Sequence, residues 1–551
     1  MKKYIGSVFL SILLFNSVKA QGLLNQKELK FTKQDTLRGS ITAERAWWDL
    51  KKYHLDVKVN PQDSTLTGSN TVSYKVLKEN QVMQIDLQSS MQITKVLQDK
   101  KSLNFTREGN VFYIQLREKQ VVGALKELTI FYNGKPKVAV NPPWDGGITW
   151  KKDKNGNPFI ASSCQGLGAS VWWPNKDHMY DEVDEMTISV TAPSKLVSVS
   201  NGRLTGVKQN NDGTKTYHWS VKNPINNYGV NINIGDYVTF SEKNKGEKGE
   251  LDCTYYVLRE NLEKAKKHFQ DVPRMLKAFE HWFGPYPFYE DSYKLVETPY
   301  LGMEHQSSVT YGNGYQNGYR GSDLSGTGWG LKFDFIIIHE SGHEWFANNI
   351  TYKDIADMWI HESFTNYSES LFLEYHYGKN AGYEYVRGLR KIIENDKPII
   401  GQYDVNHEGS GDMYPKGANM LHTLRQLVDN DEKWRVILRG LNSTFYHQTV
   451  TTQQIENYLS EQVGINLKPF FDQYLRDTRI PTLEYFFKDN MLGYRWSNCV
   501  AGFNMPIKIT VGDKKEIIKP TAEWIVLKVN NNQNVLTVDE NYYVATFDIT
   551  K

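Results

Sequence analysis

Cysteine is nearly missing from this chain. Cys164, Cys253 and Cys499 are the only three among 551 residues. That is too few for a disulfide framework: at most one bridge can form, and one thiol stays free. Runs of Lys and Arg are also missing. The 65 basic residues meet 63 acidic ones for a net charge of +2, so nothing favours a polyanion such as nucleic acid as a partner. After the first twenty residues no apolar run is long enough to span a membrane. No internal repeat or low-complexity tract is found. What remains is 40% hydrophobic and 13% aromatic, ample for real cores in a chain long enough for several domains.

The N-terminus reads as a signal peptide over residues 1–20. Lys2 and Lys3 form a basic start, Ile5 to Phe15 a short apolar run, and Val18-Lys19-Ala20 a small-residue cleavage site before Gln21. No Cys follows that site, so lipid attachment is not indicated. The expectation is an exported protein, periplasmic or extracellular. From about Trp47 to Phe240 apolar and polar residues alternate, as in Tyr53 to Val59 and Thr187 to Thr191, which predicts strands. Lys243 to Glu250 is a polar, Gly-containing break. Beyond it Leu262, Ala265, His268 and Phe269 are spaced for a helix, and Val272, Met275, Phe279 and Trp282 for its continuation. Asn466 to Leu475 predicts a closing helix, with Pro481 after it, and residues 482–551 return to strand character. The fold class is therefore α+β multidomain. It has a β-rich domain over 21–245, a mostly helical domain over 246–480 and a small β-sandwich-like module over 481–551.

The helical domain carries His339-Glu340-Ser341-Gly342-His343. Two His four apart on a helix point the same way, because a turn takes 3.6 residues, so both imidazoles can reach one Zn²⁺. Glu340 stands beside the metal without ligating it, where a general base for a metal-activated water belongs. The flanking Phe333 to Ile338 and Trp345-Phe346 are apolar, as a buried helix under a cleft requires. A third ligand decides the subclass. Metzincins place a His six residues after the second; here that position is Asn349. Glu362, 19 positions after His343, lies in a second predicted helix with Phe364, Tyr367 and Leu371 on one face and Gly378 as its stop. A carboxylate from there completes a His₂Glu site with an open fourth position, as catalysis needs. His361 competes as a ligand and ranks below Glu362. Glu369 reads as a second carboxylate behind the ligands, or a surface one.

With these residues in view, the chain resembles the aminopeptidase N family of gluzincin zinc metallopeptidases, which includes the leukotriene hydrolase type. The resemblance runs from about Ala43 to Pro481. The zinc motif has the family's spacing. Gly302-Met303-Glu304-His305 matches the G-x-M-E-N exopeptidase motif in part, and Tyr414-Pro415-Lys416-Gly417 resembles the Y-x-K-G segment. Trp282 to Phe288 and Leu467 to Pro481 are also similar to that family. The resemblance implies a thermolysin-like catalytic domain and zinc-dependent removal of N-terminal residues from peptides with a free N-terminus. It implies that His339, His343 and Glu362 hold one Zn²⁺, that Glu340 is the base and that Tyr414 donates to the developing oxyanion. Glu304 would anchor the substrate amine, with Gln165 assisting and Gly302 and Met303 lining the substrate site. A free α-amine is largely cationic at neutral pH, so a carboxylate at a closed cleft end fixes the first peptide bond over the metal.

Three positions depart from the family pattern. His305 stands for Asn, and His361 and Ser363 stand for Asn and Gly. The chain is also short after Pro481, so it resembles a form lacking the family's C-terminal helical domain, which implies a wider cleft. The rival readings are an open-cleft zinc endopeptidase, against which Glu304 argues, and a lipid-epoxide hydrolase, whose branch uses the missing helical domain. A catalytically inactive peptide-binding protein is the third, and an intact Glu340 with its metal triad argues against it.

Overall fold

The structure, a computed structural model, describes residues 30–529 and 535–550. The expected signal peptide lies outside the described residues. Residues 48–235 build the β-rich part. Its largest sheet has eight strands, with Trp48–Asn60 near the middle. That strand pairs antiparallel with Thr65–Val76 and parallel with Glu185–Pro193, Leu55 facing Ile188. Alternation places Trp48, Leu50, Tyr53, Leu55, Val57 and Val59 in the core. Smaller three- and four-stranded sheets complete this part. The strand Pro158–Ser163 leads directly into Cys164 and Gln165.

The polar stretch 243–250 is strand and turn rather than irregular chain. Tyr237–Gly246 and Gly249–Leu258 form one long antiparallel hairpin, and residues 247–248 are its tip. The hairpin belongs to a five-stranded sheet with Tyr293–Glu297, Val309–Tyr311 and Gly302–Met303. Charged residues were compatible with strand because the tip is solvent-exposed and Lys243 pairs with Glu250 across it. The sheet that flanks the metal motif therefore starts before residue 245.

The helical stretch expected from Leu262 through Trp282 divides into Leu262–His268 and Asp271–Phe283. Pro273 explains the division, since its ring and missing N–H are tolerated only in a first turn. Phe335–Gly342 is capped by Asp334, whose side chain accepts from the amides of Ile336 and Ile337. Every residue of this helix is buried, as its near-continuous apolar sequence predicts. Trp359–Tyr377 packs against it and stops at Gly378. Pro415–Val428 follows, with Pro at the first position. The closing helix spans Lys468–Leu475, slightly shorter than its sequence pattern. Residues 482–548 supply a four-stranded and a three-stranded sheet. Their inner residues Leu483, Leu492, Trp496 and Ile507 join the core of the helical part. The three cysteines are free, with Cys164 and Cys253 buried.

Candidate metal centre and cleft

His339 and His343 face the second helix one turn apart. The Nε2 atoms of His339 and His343 lie 3.7 and 3.4 Å from Glu362 Oε2. Two ligands about 2.0–2.1 Å from one tetrahedral ion stand about 3.4 Å apart, so these separations suit Zn²⁺. The other ring nitrogens are committed elsewhere. His339 Nδ1 donates to Glu369 Oε1 at 2.8 Å, and His343 Nδ1 to the Phe346 carbonyl at 3.0 Å. That fixes both tautomers and leaves both Nε2 lone pairs facing Glu362. Glu362 Oε2 is itself buried without a hydrogen-bond donor. Three buried acceptors converging on one point call for a cation.

Two structural features bring the helices this close. A Cβ on Gly342 would stand 2.8 Å from Ser368 Oγ and 3.1 Å from Thr365 Cγ2, so a larger residue here has to displace side chains of the second helix. Glu369 is fully buried and held by Tyr385 Oη at 2.6 Å and Asn366 Nδ2 at 2.9 Å. It is therefore the carboxylate behind His339 rather than a surface group. His361 is excluded as a ligand. Its Nε2 accepts from the Tyr352 amide at 2.9 Å and its ring stacks on Tyr352. His305 is also fully buried, and burial pushes its pKa down to about 3, so it stays a neutral packing group.

Above the centre lies a cavity of about 860 Å³. Gln165, Gly302, Met303, Glu304, Glu340 and Tyr414 all line it together with the three candidate ligands, so the structure unites every site residue expected from sequence. Gly302 presses against the metal helix, where a Cβ would meet Ile336 Cγ2 at 2.5 Å. Burial raises Glu340 to about 7, against the pull of His339 and with help from Glu304. The Tyr414 ring stacks on His339 with centroids 6.0 Å apart. Burial, then the Glu362, Glu304 and Glu340 carboxylates, raise its pKa far above 10, so its hydroxyl remains a donor.

Glu304 is 3% exposed. Burial raises its pKa, opposed by His343. Gln165 Nε2 donates to Glu304 Oε1 at 2.6 Å and to Glu362 Oε1 at 3.0 Å. Both amide hydrogens are thus used, and Gln165 Oε1 is left to accept. Tyr228 Oη also donates to Glu304, at 3.2 Å, and Asn348 Nδ2 holds the Glu304 carbonyl at 2.9 Å. Tyr228 and Asn348 escaped sequence reasoning, because one of many Tyr and one of many Asn carry no local signal. Gln165 and Tyr228 come from the β-rich part, so the cleft is built jointly by two parts of the chain.

Comparison with known proteins decides the family. Residues 50–228 match the Peptidase M1 N-terminal domain, and residues 268–474 match the Peptidase family M1 domain. The chain belongs to peptidase family M1. It is a zinc-dependent hydrolase, and Zn²⁺ is the cofactor that the His339, His343 and Glu362 cluster fits. Leukotriene A-4 hydrolase of Xenopus laevis is 22% identical over 75% of this chain and 68% of its own length. Aminopeptidase N of Lactococcus lactis is 22% identical over 80% of this chain and 52% of its own. The chain thus spans about half to two thirds of these curated relatives. A solved M1 zinc metallopeptidase from Deinococcus radiodurans matches with a TM-score of 0.66 at 20% identity. The match covers 80% of this chain and 96% of that one. A mutant of that metallopeptidase has been solved bound to a Tyr-Ser-Ala substrate.

Proposed function

We propose that this M1 peptidase is an aminopeptidase that removes N-terminal residues from peptides carrying a free amine. The observation that carries the reading is Glu304, a buried carboxylate beside the zinc cluster, steered by Gln165 and Tyr228. His339, His343 and Glu362 would hold Zn²⁺, which when bound would supply a Lewis acid for the scissile carbonyl and lower the pKa of water toward neutrality. Glu304 and the free oxygen of Gln165 bind the substrate ammonium and so place the first peptide bond within reach of Glu340. Glu340 takes the proton from the attacking water and returns it to the leaving amine. The Tyr414 hydroxyl donates to the carbonyl oxygen as negative charge develops there, an interaction stronger in the transition state than in the ground state. The relative solved with a tripeptide supports peptides as the substrate class. The basic start, apolar run and small-residue site of residues 1–20 support export, with a mature chain beginning at Gln21.

The test compares one peptide series with free and acetylated N-termini, with and without a chelator. Cleavage confined to free amines and abolished by chelation is expected. Equal cleavage of blocked peptides would remove the role of Glu304 and leave an endopeptidase.

A further inference from the structure

Ser363 directly follows the metal ligand Glu362 on the helix Trp359–Tyr377. Its side chain is fully buried, and its hydroxyl donates to the Met413 carbonyl at 2.7 Å. That carbonyl belongs to the peptide bond leading into Tyr414. It stands just outside the following helix, whose first accepting carbonyl is that of Tyr414, bonded by the Ala418 amide. Ser363 also touches the chain beyond Tyr414. A Cβ on Gly417 would lie 1.9 Å from Ser363 Oγ and 2.6 Å from Ser363 Cβ, so glycine is the residue that accommodates this hydroxyl. One side chain on the metal-bearing helix therefore holds the peptide leading into Tyr414 and lies close against Gly417, three residues on.

The rest of the turn is held differently. Asp412 accepts from the amides of Glu394 and Asn395, and Ser410 Oγ caps Asp412 and bonds Asp396. Those bonds tie the turn to its own loop, whereas Ser363 ties it to the metal ligands.

We propose that Ser363 is a positioning residue that sets the Tyr414 hydroxyl relative to the zinc site through the Met413–Tyr414 peptide. The proposal rests on the reading of Tyr414 as the oxyanion donor. A displacement of about 1 Å in such a group costs up to about 100-fold in rate, so a lost tether is visible in kcat. Because Ser363 does not line the cavity, KM is expected to be spared.

The experiment is a double-mutant cycle of S363A and Y414F, with kcat, KM, zinc content and thermal midpoint measured for each protein. S363A is expected to lower kcat by about tenfold or more, with KM within about twofold and zinc fully retained. On the Y414F background S363A is expected to change kcat no further, since the group it positions is already gone. Loss of kcat by the same factor on both backgrounds, or an S363A enzyme with undiminished kcat, would overturn the proposal. If Y414F alone keeps full kcat, the role of Tyr414 fails and the proposal falls with it, an outcome distinct from additivity. Should S363A not fold, G417A crowds Ser363 from the opposite side and carries the same expectation on both backgrounds.

Discussion

Each residue of the cleft is defined by what its second polar atom does. His339 has Nε2 to offer a metal because Glu369 occupies Nδ1, and His361 has none to offer because Tyr352 occupies its Nε2. Removing the carboxylate behind His339 should weaken the site without abolishing it. Glu369→Gln is expected to reduce zinc affinity by about 10–100-fold, read by competition with a chromogenic chelator; unchanged affinity would make Glu369 only a packing group. Glu340 lies outside the ligand set. Glu340→Gln is expected to keep its zinc and lose about 10²–10⁴-fold in kcat, as loss of a general base does. A variant that loses metal in step with activity would instead mark Glu340 as structural.

At the scale of elements, the centre depends on how closely two helices cross. Glu362 reaches the His pair because Gly342 lets the helix Trp359–Tyr377 sit against Phe335–Gly342. Adding a methyl there must push Ser368 and Thr365 away. Gly342→Ala is expected to cost about 1–3 kcal/mol of stability as overpacking, and to weaken zinc binding at the same time, because separation opens the ligand triangle. Denaturant unfolding with and without zinc reads both effects. Equal destabilisation in the two conditions would show that the crossing distance does not control the metal. The same logic explains the buried Asp334 cap: it receives two helix amides, Tyr311 Oη and Asn313 Nδ2, and so fixes where the metal helix begins.

Across the whole molecule, the cleft depends on the seam between the β-rich and helical parts. Polar contacts cross the seam: Asn201 Nδ2 donates to the Gln306 carbonyl at 2.7 Å, Ser307 Oγ accepts from the Gly202 amide at 2.9 Å, and Lys294 Nζ donates to the Gly202 carbonyl. Lys294 is 2% exposed, and burial lowers its pKa to about 7, against Asp291 and Glu344. A depressed lysine favours the folded state least when it must be charged. Its stability contribution is present above its unfolded value of about 10.4 and is lost as pH falls through about 7. The stability of the native chain relative to Lys294→Met is therefore expected to fall from pH 10 to 7, by at most about 1.4 kcal/mol per pH unit, and to level off below. Parallel pH profiles for the two proteins would show that Lys294 is not desolvated.

Much of this protein was legible in its sequence, because the chemistry of a zinc peptidase is written in short local patterns. A helical His pair, an adjacent Glu and an acidic residue on the next helix need only the helical repeat to be read. Alternation over Tyr53 to Val59 and the apolar run before His339 likewise announce strand and buried helix through their own periodicity. Tertiary structure alone decided the rest. Which nitrogen of each His is free, that Glu369 is buried behind the metal, that His361 is spent on Tyr352, and that residues 243–250 turn a hairpin all depend on neighbours distant in sequence. Gln165 and Tyr228 reach Glu304 across 139 and 76 positions of chain. Hydrogen-bond partners and close helix crossings have no period and no fixed spacing, so they exist only once the chain has folded.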